Sequence, residues 1–175
     1  MRRLILLLCS ALVCLAALAA HGQQPSAPSA PPASIEPPSG ERLLLEVQAE
    51  GVQNYSCVTE NGASAWKFQG PEAKLTTSAG GPAGSHFAGP TWKLLDGSEV
   101  KGSMAASKPA PEAGTVPWLL LKVVSHNGNG KLSAADYVTR TNTKGGVAPQ
   151  SGCDAAHQGA SAPVPYSATY RFYGK

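Results

Sequence analysis

Along the last stretch of the chain, Tyr166, Ala168, Tyr170 and Phe172 alternate with Ser167, Thr169, Arg171 and Tyr173. That period of two is the mark of a strand with one buried face. Trp118–Val124 is apolar throughout except for Lys122, as in a strand covered on both faces or lying inside a barrel. Further short runs rich in β-formers predict strands over Leu43–Ala49, Gln53–Val58, Ala65–Phe68, Thr91–Leu95, Glu99–Gly102 and Tyr137–Thr141. Turn signals punctuate them: Asn61-Gly62, Gly70-Pro71, Gly80-Gly81-Pro82, Gly89-Pro90, Asp96-Gly97, Asn127-Gly128-Asn129-Gly130 and Gly145-Gly146. No window longer than two turns carries a 3.6-residue period, so helix is confined to short turns near Glu72–Leu75 and Ser133–Asp136. The expected fold is all-β, a single-domain β-sandwich or partly open β-barrel.

The amino-terminal end reads differently. Arg2 and Arg3 precede an apolar run from Leu4 to Ala20, and Ala20-His21-Gly22 is an acceptable cleavage site, so residues 1–22 are expected to be a secretory signal peptide. Val13 and Leu8 precede Cys14 and Cys9, which argues against lipidation. Residues 23–40, QQPSAPSAPPASIEPPSG, hold six prolines and almost no apolar bulk and read as an extended, disordered tether. Residues 41–175 remain as one globular domain, expected to be a monomer without a membrane span once the signal is removed. Of the 14 basic residues, Arg2 and Arg3 leave with the signal, so the mature chain is nearly balanced against its 11 acidic residues. With no basic stripe interleaved with aromatics, nucleic acid is excluded as a partner.

Signal cleavage also removes Cys9 and Cys14, leaving Cys57 and Cys153 in a secreted or periplasmic, oxidising setting. One disulfide is the expectation.

The blocks GVQNYSC (Gly51–Cys57), WKFQGPEAKL (Trp66–Leu75), HFAGPTWKLLDGSEVKG (His86–Gly102), VPWLLL (Val116–Leu121), TRTNTKGGVAP (Thr139–Pro149), CD (Cys153–Asp154) and VPYSATYRFY (Val164–Tyr173) follow one another in an order that resembles the secreted domain-of-unknown-function family 3455 of bacteria and fungi. The resemblance implies a signal peptide ahead of one compact domain and makes Cys57 and Cys153 a structural pair; it supplies no catalytic assignment. No cofactor is expected. A dinucleotide site, which the malate dehydrogenase label of some fungal relatives would demand, needs a glycine-rich strand-turn-helix. Gly128-Asn129-Gly130 comes nearest, with Ser133 where the third glycine should stand.

Candidate chemistry concentrates in His86, Trp92 and Asp96, with Glu72 on the preceding block. Trp92 is the expected stacking platform for a sugar ring, Trp66 and Trp118 being assigned to the core. The leading functional expectation is a non-catalytic ligand-binding module for carbohydrate or another cell-envelope ligand, with Trp92, His86 and Asp96 as binding residues. A small secreted hydrolase would use His86 as general base with Asp96 or Glu72 as its carboxylate. A structural envelope protein would use the same residues as scaffold, Asp96-Gly97 making a hairpin turn. No metal site is expected: Ser125–Asp136 imitates a calcium loop but lacks a carboxylate at its first position, and His126, His157 and Asp154 stand apart in loop-like sequence.

Overall fold

The computed structural model describes residues 34–175. The expected signal peptide and residues 23–33 of the expected tether lie outside the described residues. The tether's last residues, 34–40, lie inside them, and Ile35, the apolar exception in that segment, is buried at 5% exposure.

Eight antiparallel strands follow in chain order: β1 (Arg42–Glu60), β2 (Ala63–Thr76), β3 (Pro82–Phe87), β4 (Thr91–Leu94), β5 (Glu99–Lys108), β6 (Trp118–Asn127), β7 (Tyr137–Gly145) and β8 (Ser161–Gly174), with one 3₁₀ turn at Ala155–His157. Each pairs with its neighbours in sequence and β8 returns to β1. The all-β expectation holds, and between sandwich and partly open barrel the chain takes a barrel whose ring of strand pairs closes from β8 to β1. Local chemistry explains the hairpins. Asn61 and Gly62 both have positive φ, 53° and 81°, as the two-residue turn between strands twisted in the usual sense requires. Asp96-Gly97 makes the expected β4–β5 turn, with Gly97 at φ 89°.

Two expectations need correction. Glu72–Leu75, expected as a helical turn, lies in β2 and pairs from Glu72–Phe87 to Leu75–Gly84 with β3. That strand, Pro82–Phe87, was hidden in a glycine- and proline-rich stretch read as turns. Gly84 is the reason it can pair there: a Cβ on it would collide with the Lys93 carbonyl and Leu94 Cα of β4, so only glycine permits the approach.

The interior is the inward-facing half of each strand. Val47 and Ala49 of β1, Leu75 of β2, Trp92 and Leu94 of β4, Val100 of β5, Leu121 and Val123 of β6, Val138 of β7, and Tyr166, Ala168, Tyr170 and Phe172 of β8 form one core. At one end this core is sealed by the β6–β7 loop, the calcium-like stretch of the sequence, whose Leu132 and Ala135 are fully buried. Asp96 and Ser98 hold that loop. Asp96 Oδ2 accepts from the Lys131 N–H at 2.9 Å, Ser98 Oγ donates to Asp96 Oδ1 at 2.6 Å, and Ser98 Oγ accepts from the Leu132 N–H at 3.2 Å.

At the other end Cys57 and Cys153 are bonded, 96 residues apart in sequence, tying the loop before β8 to β1. Closing so long a loop removes about 4–5 kcal/mol of chain entropy from the unfolded state in the simplest treatment. Cys153→Ser is therefore expected to lower unfolding free energy by roughly 2–4 kcal/mol in urea titration of the oxidised protein. A change below about 0.5 kcal/mol, within the range of an ordinary surface substitution, would show that the bridge adds nothing to the barrel.

Candidate functional site

The sequence's candidate residues separate in space. His86 on β3 pairs with Trp92 on β4, and both side chains point inward, buried at 2% and 1% exposure. Asp96 lies at the sealed end, its carboxylate taken up by Lys131 and Ser98, bonds that hold its pKa below the usual carboxylate range. Glu72 alternates with buried Pro71 and Ala73 and is exposed on the outer face. Neither carboxylate orients His86. Trp92 is a core residue rather than an exposed stacking platform, while Trp66 and Trp118, expected in the core, are only half-buried. Trp66 donates its indole N–H outward to the Ser151 carbonyl at 2.9 Å, and Lys108 Nζ lies 5.3 Å over the Trp118 ring.

Within the barrel His86 and Trp92 begin an aromatic stack. Their rings are parallel within 8°, centroids 4.5 Å apart, and Tyr170 meets both edge-on at 4.9 and 5.2 Å. Gly102 on β5 makes the room: a Cβ there would stand 3.1 Å from the indole and 3.2 Å from Leu121 Cβ. His86 Nδ1–H donates to the Thr91 carbonyl at 2.8 Å, which fixes the tautomer and leaves Nε2 as an acceptor. Burial pushes the imidazole pKa down from its ordinary 6.5 to about 4, against the Thr91 bond, with the Arg140 charge lowering it further. At neutral pH it is an uncharged ring.

The wall beside this stack is incomplete, because β3 and β4 are short. β2 pairs with β3 only from Glu72 onward, and β5 pairs with β4 only as far as Lys101. Beyond the Ala88–Pro90 turn, the first half of β2 and the second half of β5 therefore face each other across a gap. Behind the gap is a cavity of about 210 Å³. Its rim is Phe68, Gly70, Pro71, Gly89, Pro90 and Met104, and its floor is Gln53, His86, Trp92, Leu119, Leu121, Arg140 and Tyr170. Phe68 and Met104 present exposed apolar surface at the rim, 51% and 66% exposed.

Three floor residues carry a buried polar atom with no hydrogen-bond partner: Gln53 Nε2, Trp92 Nε1 and Tyr170 Oη, with Tyr166 Oη a fourth such atom nearby. Tyr166 lies close enough to Tyr170 and Gln53, and Tyr170 to Arg140, for side-chain hydrogen bonding to bear on their ionisation, though none of these contacts reaches full hydrogen-bond geometry. Burial drives both tyrosine pKa values up, so the hydroxyls keep their protons. Arg140 Nε and Nη2 donate to the Pro117 carbonyl at 3.1 and 2.8 Å. That bond helps hold the Thr115–Pro117 segment over this end of the barrel, where Thr143 Oγ donates to the Val116 carbonyl at 2.7 Å and Tyr55 Oη to the Gly146 carbonyl at 2.7 Å. Sequence reading missed Gln53, Arg140 and Tyr170 as site residues. They lie on β1, β7 and β8, and only the strand register brings them together.

The remaining polar candidates serve local structure. Asp154 caps the 3₁₀ turn, accepting from the N–H groups of Ala156 and His157 and from His157 Nδ1 at 2.7 Å. His126 Nε2–H donates to the Ala135 carbonyl at 2.7 Å.

The buried imidazole makes stability pH-dependent. Between pH 6.5 and about 4 the unfolded chain binds a proton that the folded one refuses, so stability is complete above this window and falls as pH drops through it. The loss is up to about 3 kcal/mol, at no more than ~1.4 kcal/mol per pH unit. His86→Phe keeps a ring on Trp92 and should flatten the curve between pH 6.5 and 4 relative to the parent in denaturant titrations. Parallel curves for the two proteins would refute the assignment.

Comparison with curated proteins and with solved structures finds no match. A family model does match, over residues 38–174, from just before β1 to the last residue of β8; its description is Protein of unknown function (DUF3455). The chain belongs to that family.

Proposed function

We propose that the protein is a non-catalytic binding module of the secreted or periplasmic space that holds a small, largely apolar ligand inside its barrel, admitted through the gap between β2 and β5. The observation that carries this reading is the contrast between the two ends. An eight-stranded barrel is just wide enough for side chains to fill or for one small ligand. One end is filled by Leu132 and Ala135; the other keeps a cavity lined by Gln53, Trp92 and Tyr170, each of which carries a buried polar atom without a partner. Each such atom costs about 1–3 kcal/mol, a sum comparable with a large part of a domain's net stability of about 5–15 kcal/mol. A scaffold gains nothing from that arrangement, whereas a ligand that supplies the missing hydrogen bonds offsets it.

Size and lining favour a small ligand with an apolar body. A cavity of about 210 Å³ lies below the usual range for drug-sized molecules, roughly 300–1,000 Å³. It exceeds the ~150 Å³ that admits benzene, so about ten non-hydrogen atoms is the scale. The mostly carbon lining favours an apolar body over a sugar, whose ring of hydroxyls would find few partners. The hydrolase reading draws less support, because His86 is held by a main-chain carbonyl and has no carboxylate to orient it. The disulfide suits an oxidising compartment, and among the described residues no helix is long and apolar enough to cross a membrane.

Thermal unfolding with a panel of small aromatic alcohols and ketones, beside soluble oligosaccharides, tests the reading. The apolar compounds should raise the midpoint with the logarithm of their concentration above Kd, corresponding to about 2.7 kcal/mol of stability at a hundredfold excess. Leu119→Trp, which fills the cavity, should fold and lose the shift. A response to the sugars alone, or to nothing in the panel, would overturn it.

A further inference from the structure

The chemistry of the cavity floor goes further than its size. Resting on the binding reading above, we propose that the ligand is a small apolar carboxylate, its hydrocarbon body packed against Leu119, Leu121 and Trp92 and its acid group met by Arg140 with Gln53 and Tyr170.

The first argument is the sign of the unpartnered groups. Trp92 Nε1 and Gln53 Nε2 can only donate, and the Tyr170 hydroxyl, kept protonated, has a proton to give. Acceptors line the floor too, namely His86 Nε2, Gln53 Oε1 and the Tyr170 oxygen itself, but each atom left without a partner there can donate. A ligand that satisfies them must be rich in acceptor lone pairs, and a carboxylate presents about four acceptor sites on two oxygens.

The second argument is charge. Arg140 is the only ionised residue lining the cavity, and among the described residues no carboxylate lies within salt-bridge distance of it. Arg171, on the neighbouring strand, shows the usual arrangement, donating from Nε to Glu46 Oε2 at 2.6 Å. Arg140 has instead the uncharged Pro117 carbonyl, and its charge bears on Tyr55, His86, Tyr166 and Tyr170 together. A half-buried guanidinium without a counterion, beside a carbon-lined cavity, attracts an anion from outside the chain. One guanidinium balances one negative charge, which favours a monoanionic carboxylate over a phosphate dianion. The planar fork of the side chain suits the planar carboxylate as well.

Three probes of matched size separate the possibilities: phenylacetate, its uncharged isostere phenylacetamide and the cation 2-phenylethylamine. Calorimetric titration of the oxidised protein at pH 7 should show phenylacetate binding at least tenfold more tightly than the amide, with no binding of the amine. Arg140→Gln should cost the acid at least tenfold and leave the amide within threefold; Arg140→Lys should fall between. If the amide matches the acid, or the amine binds best, the carboxylate assignment is wrong while the cavity remains a binding site. If none of the three binds and the neutral panel is also silent, both readings fall. Should Arg140→Gln fail to fold, the three-probe comparison on the parent protein still decides.

Discussion

Closure of β8 onto β1 is the constraint from which the rest of the molecule follows. The two strands pair from Arg42–Gly174 to Ser56–Ser161, and once they do, the circumference is set and no sheet edge is left along them. That register puts Val47 opposite Tyr170 and Gly51 opposite Tyr166, so large β8 side chains meet small or slender partners across the seam. Gly51 is required there: a Cβ would run into the Glu72 carbonyl and Ala73 of β2. The closed circumference then turns packing into a question of filling a fixed interior.

The chain answers that question differently at its two ends. At one, the β6–β7 loop folds back as a plug, and the Asp96 and Ser98 side chains spend their hydrogen bonds on its backbone. At the other, the short β3–β4 hairpin leaves the wall open between β2 and β5, and the side chains reaching that space are Gln53, Arg140, Tyr170 and the His86–Trp92 stack. Polar groups without partners accumulate where the wall is incomplete. His86, neutral and fixed by Thr91, presents this cavity with a flat ring and an acceptor nitrogen.

Much of the architecture was legible in the residues. The alternation in Tyr166–Tyr173, the apolar run of β6 and the Asn61-Gly62 and Asp96-Gly97 turns all name strands and hairpins that exist. What failed did so for physical reasons. β3 escaped because its one glycine, Gly84, is there for close backbone approach, a use that looks like turn punctuation in sequence. Trp92 was expected outside because a four-residue strand carries too little alternation to say which face is solvent. Glu72 was expected to begin a short helical turn, whereas pairing with Phe87 commits it to a strand and to the outer face. The site itself has no motif, since Gln53, Arg140 and Tyr170 become neighbours only through barrel register. Distance along the chain concealed them; their chemistry was ordinary.

A crystal structure grown with 4-bromobenzoate would test the central claim most directly, because the anomalous signal of bromine locates the ligand independently of affinity. The account predicts a bromine peak inside the barrel among Leu119, Leu121 and Trp92, with the acid group facing Arg140. Ordered water bonded to Gln53, Trp92 and Tyr170, with no bromine inside the barrel, would contradict it.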